Sequence, residues 1–327
     1  MRKLILTLIA TLTAAAGFCA DVVATVEVIY NGTTATVTIP ASVSKYVSCT
    51  SGTSAHVKLV QSSTATDTPG EIMYSLSGSS TDGEFYMEGE YKATLKLSSL
   101  TLTNPDSTAI HIKDGKRIKV SLTGTNTLTD GTKDDESKGC FHCKGHTEFA
   151  GSGTLNIVSN IRHGIYSKEY IEIKNCTINI TGAKKDGIHC QEYLLMKSGN
   201  VTISGAGDDG IQVELRDTAN PTGTTDEHED EDSGNFYQEG GTLTISGYDG
   251  KAIKADGSIA FSGGTQNFTT SDITENAASG ISTITIDSEA ADGIYDLNGR
   301  KQPQGTQLRR GIYIIKKGNK IIKRSVI

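Results

Sequence analysis

A phrase that returns every 23 residues governs what this chain can fold into. His163 opens HGIYSKEYIEIKNCTINITG, Asp186 opens DGIHCQEYLLMKSGNVTISG, and Asp209 opens DGIQVEL. Gly164, Gly187 and Gly210 are anchors spaced 23 and 23 apart. Gly139 lies 25 residues before Gly164, Ala109 lies 30 before Gly139, and Ala252 lies 42 after Gly210. Self-similarity at a fixed short period marks a stacked repeat, in which each unit buries its apolar side only against its neighbours.

Each repeat holds three short segments in which apolar and polar residues alternate. In the coil from Gly164 they run Ile165 to Lys168, Ile171 to Lys174 and Thr177 to Ile180. The next coil repeats the pattern with Leu194 and Met196, then Val201 and Ile203. A period of two is a strand signal. Three strands and three turns in about 23 residues make one coil of a parallel β-helix. The fold class expected is therefore all-β: a right-handed parallel β-helix with three strands per coil. The hand follows the general rule for parallel crossovers. The repeated phrase runs from about Tyr91 to Thr270.

Four regions are expected. Residues 1–20 read as a secretory signal, with Arg2 and Lys3, an apolar stretch from Leu4 to Leu12, and small residues to Ala20. Residues 21–75 read as an N-terminal β cap, with Asn31-Gly32 at a hairpin turn. Residues 76–285 form the β-helix, and 286–327 a small C-terminal β module. After the signal, no apolar stretch is long enough for a membrane helix. The expected location is outside the cell or on its outer surface.

Charge is unevenly spread. The chain carries a net −7, but Asp292 to Ile327 holds nine Lys or Arg and two Asp. The body is acidic, which argues against nucleic acid as a partner. Between Gly210 and Ala252, about 19 extra residues form an insertion from Asp217 to Asn235, with six carboxylates and a His from Asp226 to Asp232. It reads as a solvated loop or a calcium-capturing one. Five cysteines follow the signal, an odd number. Cys140 and Cys143 form a C-x-x-C beside His142 and His146, a pattern that would serve zinc only with four well-placed ligands. The register instead gives Cys140 an inward place beside Ile165, Ile188 and Ile211.

Stacking turns one repeat position into a surface row. One outward row reads His111, Phe141, Tyr166, His189, Gln212, Lys254, and a second reads His146, Tyr170, Tyr193. Tyr166, His189, Tyr170 and Tyr193 are the candidate sugar-binding residues, because rings on a rigid sheet stack on the apolar faces of sugars. The same rings also serve as a ladder that only stabilises strand pairing. A third row holds acids at the turn before each anchor: Asp186, Asp208 with Asp209, and Asp249. With Glu214 these are the candidate metal ligands. Asp-Gly is also a turn formula, yet carboxylates one strand apart repel unless a cation lies between them. There is no G-x-S-x-G, P-loop or H-E-x-x-H. A lyase would need a Lys base beside a bound uronate, and Lys185, Lys251 and Lys254 are placed for it.

The order of phrases from Glu71 carries a resemblance: EIMYSLSGSSTDGEFYMEGEYKATLKLSSLTLTN, then AIHIKDGKRIKVSLTGTNTLTDG, KGCFHCKGHTEFAGSGTLNI, KDGIHCQEY, GGTLTISG and DGKAIKADG. From Glu71 to Thr270 the chain resembles the secreted carbohydrate-binding β-helix proteins. That resemblance implies a right-handed β-helix shaped like pectate lyases, binding plant polysaccharide such as acidic pectin or cellulose, with calcium as its cofactor and no established cleavage. It carries calcium onto Asp186, Asp208 and Asp209 through the phrase D-D-G-I. The C-terminal Tyr295-Asp296-Leu297-Asn298-Gly299-Arg300 and Leu308 to Ile315 resemble the sorting domain of type IX secretion, which implies secretion machinery as a partner. The leading expectation is calcium-assisted, non-catalytic polysaccharide binding. A polysaccharide lyase and a structural adhesin are the alternatives.

Overall fold

The structure is a computed structural model that describes residues 22–133, 137–217, 231–275, 292–295, 301–302, 311–317 and 320–326. The expected signal, most of the acidic insertion, and much of the C-terminal motif lie outside the described residues. The chain divides between Glu275 and Asn276 into two compact units.

The first unit is a right-handed parallel β-helix of about eight turns. Ala93–Thr103 runs through two of three columns, pairing with both Ile118–Thr123 and Thr125–Thr129, whereas from Ile110 onward each full coil lays one strand in each. In the coil from His163 these are His163–Ser167, Ile171–Lys174 and Thr177–Ala183. The next coil places Ile188–Gln191, Tyr193–Met196 and Asn200–Ile203 beneath them, all parallel. The anchors line up through the backbone. Gly164 N–H donates to Asp186 O at 3.1 Å, Gly187 N–H to Asp209 O at 3.0 Å, and Gly210 N–H to Lys251 O at 2.7 Å.

Inward residues form columns of like shape. Phe141, Ile165, Ile188, Ile211 and Ile253 are consecutive partners in one sheet, and all are buried. Each such side chain contributes about 1.5–3 kcal/mol by leaving water. Between the columns, polar positions pair with polar ones: Asn179 donates to Asn156 at 3.0 Å.

Parallel stacking begins earlier than the repeated phrase. Val22–Asn31 pairs in parallel with Glu71–Ser80, and His56–Gln61 with Glu84–Gly89. The hairpin expected at Asn31-Gly32 is present, joining Val22–Asn31 to Thr34–Thr38 with Gly32 at φ 64°. The second unit contains an antiparallel sheet of Gly293–Tyr295, Gly311–Lys317 and Lys320–Val326.

One expected register is corrected. Phe141, not Cys140, pairs with Ile165, and Gly139 pairs with His163. The coil before Gly164 is one residue out of step with the anchor count. Phe141 therefore points inward, fully buried against Phe149 with ring centroids 5.2 Å apart, and His142 takes its outward place. Cys140 and Cys143 are both buried free thiols, and burial pushes Cys143 up to about 12. Neither joins His142 or His146 in a metal-holding group among the described residues.

The anchors are glycines for steric reasons. A Cβ on Gly187 would lie 2.7 Å from both Gly210 O and Ile203 Cγ2. A Cβ on Gly182 would meet only Val158 Cγ1, at 3.7 Å. Gly187→Ala is expected to cost about 1–3 kcal/mol and Gly182→Ala less than about 0.5 kcal/mol. Urea unfolding midpoints of the two variants check this ordering.

Candidate functional site

The outward positions of the first column build a continuous run of rings. Tyr86, His111, His142, Tyr166 and His189 occupy successive coils. His111 stacks on His142 at 4.4 Å with planes 12° apart, and Tyr166 stacks on His189 at 5.3 Å. The intervening contacts, Tyr86 on His111 and His142 on Tyr166, are edge-on. Lys138 lies over the Tyr166 ring at 5.0 Å. A second run stands where each chain enters the next column: His146 on Tyr170 at 4.2 Å and Tyr170 on Tyr193 at 4.8 Å.

These rings do not all face water. Tyr166 is 3 %, His189 6 % and Tyr193 3 % exposed. Their faces are largely spent on one another and on neighbouring side chains. Tyr86, His111, His142 and Tyr170 are half-buried and keep surface for a ligand.

Beside the first run lies a charged column built by the residue before each anchor. It reads His163, Asp186, Asp209, Lys251. Asp186 Oδ1 accepts from Asp209 N–H at 3.0 Å, and Asp209 Oδ1 accepts from Lys251 N–H at 2.7 Å. Asp186 Oδ2 lies 2.9 Å from His189 Nδ1 and 3.1 Å from His163 Nδ1. Burial opposes ionisation of Asp186, but the hydrogen bonds from His163 and His189 outweigh it and hold its carboxyl well below the usual range. Burial pulls His163 down. It also opposes the His189 charge, but there Asp186 and Glu214 outweigh it, and His189 rises.

Asp186, Asp208 and Asp209 each bring a carboxylate oxygen within 4.8 Å of the others. Asp208 is exposed, whereas Asp186 and Asp209 are buried. The Asp208 and Asp209 carboxylates converge over Gly250, where a Cβ would sit 3.0 and 2.4 Å from their oxygens. Asp209 Oδ2 is buried without a hydrogen bond, and Lys254 Nζ lies 3.5 Å from it. Burial raises the Asp209 carboxyl. An oxygen-only donor set with one unsatisfied buried oxygen fits a hard cation.

Two expected members stand apart. Asp249 is exposed, because Ala252 is the residue aligned with Gly210 and so Lys251 fills the column position. Glu214 lies on the far side of His189, 3.3 Å from Nε2, and accepts from Gln191 and Gln212 at 3.3 and 3.1 Å. The His189 hydrogen bond brings Glu214 down to about 2. Of the candidate bases, Lys185 is exposed.

A second charged group gathers around the Tyr170 run. His146 Nε2 lies 3.0 Å from Glu169 and 3.4 Å from Glu192. Arg216 Nη1 lies 2.5 Å from Glu192 and 3.5 Å from Glu169. At the insertion's end, Asp232 accepts from Arg216 and Asp217 N–H groups, each at 3.0 Å. The period carried the signal for both groups: His163 precedes Gly164 as Asp186 precedes Gly187, and Glu169-Tyr170 recurs as Glu192-Tyr193.

The rings make stability depend on acid. Burial, His111 and Lys138 pull the His142 imidazole down from 6.5 to about 3. The unfolded state therefore binds more protons between these values, so stability is lost as pH falls from 6.5 toward 3. Glu214 adds to the loss below its ordinary 4.5. His142→Phe keeps a stacking ring and is expected to flatten the upper part of this slope, read as thermal midpoints against pH.

Three comparisons bear on this arrangement. A carbohydrate-binding domain-containing protein of Acetivibrio thermocellus is 28% identical over 112 residues, covering 31% of this chain and 39% of that protein. The chain thus matches well under half of that relative's length. A solved structure described as the polysaccharide lyase-like protein from C. thermocellum, a gadolinium derivative, superposes with a TM-score of 0.56 at 20% identity, covering 77% of this chain and 99% of that one. At that identity the likeness is one of fold. The model of the family described as carbohydrate-binding domain-containing protein matches residues 60–302, and with three quarters of its length inside that match, this chain belongs to the carbohydrate-binding domain-containing protein family.

Proposed function

We propose that this protein binds an acidic plant-type polysaccharide, without cleaving it, through calcium and a neighbouring run of rings. The observation that carries the reading is one contact. His189, a member of the ring run, is hydrogen-bonded to Asp186, a member of the acid group, at 2.9 Å. Stacking surface and carboxylates therefore belong to one patch. An acidic body repels an acidic polymer unless a cation bridges them. Asp186, Asp208 and Asp209 would hold calcium, which supplies the positive charge that a uronate carboxylate needs. Half-buried Tyr86, His111, His142 and Tyr170 would meet the apolar faces of sugar rings. Tyr166, His189 and Tyr193 would act chiefly by holding those rings in place. The setting is extracellular or on the outer surface, with the C-terminal module serving export.

The expected outcome is retention on immobilised polygalacturonate in calcium and release by a chelator. Asp208→Asn with Asp209→Asn should weaken retention at least about 10-fold, the scale of one charge-assisted contact. Equal retention in calcium and chelator would remove the bridging step.

A lyase is the second reading, favoured by Lys254 lying 3.5 Å from Asp209 Oδ2. A base beside a cation-held uronate is what such chemistry needs. Incubation with polygalacturonate should show no growth of ultraviolet absorbance from unsaturated ends. A steady rise, lost in Lys254→Ala, would replace binding with cleavage.

A further inference from the structure

Two imidazoles and one carboxylate meet at a buried point that shares Asp186 and His189 with the sugar-binding reading and adds His163. His163 and His189 both turn Nδ1 toward the same Asp186 oxygen, Oδ2, at 3.1 and 2.9 Å. One donor atom from each of the three lies within 4.8 Å of the others, and all three residues are buried. Their ring centroids are 4.5 Å apart, and Tyr166 packs on both rings.

We infer that His163, Asp186 and His189 form a site for one divalent first-row transition ion of the zinc or cobalt class, clamped between two successive coils. Nitrogen and oxygen ligands sit about 2.0–2.2 Å from tetrahedral zinc, so ligand atoms on one ion lie about 3.4 Å from each other. The two N–O distances, 3.1 and 2.9 Å, reach that spacing with a shift of a few tenths of an ångström. Imidazole suits these borderline ions, whereas calcium takes oxygen alone. The donor set is thus unlike that of the acid group one coil further on, which shares Asp186 and whose Asp209 backbone N–H donates to Asp186 Oδ1 at 3.0 Å.

The outer contacts agree. His189 turns its second nitrogen, Nε2, to Glu214 at 3.3 Å. A carboxylate behind a ligating imidazole fixes its ring and raises its basicity. The backbone N–H of Asp186 lies 3.3 Å from His163 Nδ1. An Nδ1 that accepts from this N–H is unprotonated and carries the lone pair a metal needs, which the ion would take over from the hydrogen bond. Because His163 and Asp186 belong to adjacent coils and His189 to the second, the ion would pin one coil to the next.

The test uses the full chain, stripped by chelator and dialysed into excess calcium, then titrated separately with Zn²⁺ and Co²⁺. One equivalent should bind per chain, counted by elemental mass spectrometry. Cobalt should show visible d–d bands without the near-ultraviolet thiolate band that a cysteine ligand would give. Each ion should raise the thermal midpoint. His163→Gln should lower affinity by at least about 100-fold and abolish the midpoint shift, while Glu214→Gln, which touches only the outer nitrogen, should lower it about 10–100-fold. The Glu214 variant keeps the test decisive if His163→Gln fails to fold. No retained ion would overturn the site, leaving a hydrogen-bonded triad only. A thiolate band, or full affinity in either variant, would overturn it by placing the ion elsewhere. The site shares Asp186 and His189 with the sugar-binding reading, but none of these readouts involves polysaccharide, so failure of one is distinguishable from failure of the other.

Discussion

Everything in this molecule depends on the parallel backbone ladder that holds one coil in register with the next. Gly164, Gly187 and Gly210 donate along a single line, and that line fixes which side chains share a column. A slip of one residue would send each inward Ile to the surface and each outward ring into the core, because side chains alternate across a strand. The columns of buried Ile and Phe resist such a slip. The glycines that let coils approach are as much a condition of the ladder as the apolar residues.

Columns give this fold its chemistry. A single carboxylate at a turn shapes backbone and little else. Repeated at one height, with His163 above and Lys251 below, Asp186 and Asp209 become a chain of linked partners. Each carboxylate caps the backbone N–H of the following coil, so the acids are fixed before any ligand arrives. Preorganised groups bind more tightly because less freedom is lost. The ring runs obey the same rule: their mutual stacking leaves little motion to freeze.

The period, the strand alternation and the parallel β-helix were legible in the sequence, since they need only counting and apolar spacing. The register was legible where the spacing is 23 and failed where it is not. Cys140 and Phe141 differ by one place, and only the extra residues before Gly164 separate an inward Cys from an inward Phe. Asp249 looked like another acid in the row because Asp-Gly recurs, but the backbone aligns Ala252 with Gly210 and brings Lys251 into line. The pairing of His163 with Asp186 was written in the repeat itself. The burial of Tyr166, His189 and Tyr193 was not, because what covers them comes from other rows and other coils. Family membership rests on the match over residues 60–302, while the columns show which rings keep exposed surface.

Strand length tapers along the axis. Ile110–Asp114, Ile118–Thr123 and Thr125–Thr129 run to five, six and five residues, whereas Ile253–Ala255, Ile259–Phe261 and Thr265–Asn267 have three each, and Phe261 is 38 % exposed. In a solenoid, stability is close to a sum of neighbour contacts. The long-stranded end is thus a firm base and the short-stranded end a yielding tip. Mechanical load along the axis would peel coils from the tip inward, one at a time, and a tethered protein built this way would lengthen under pull before its base let go.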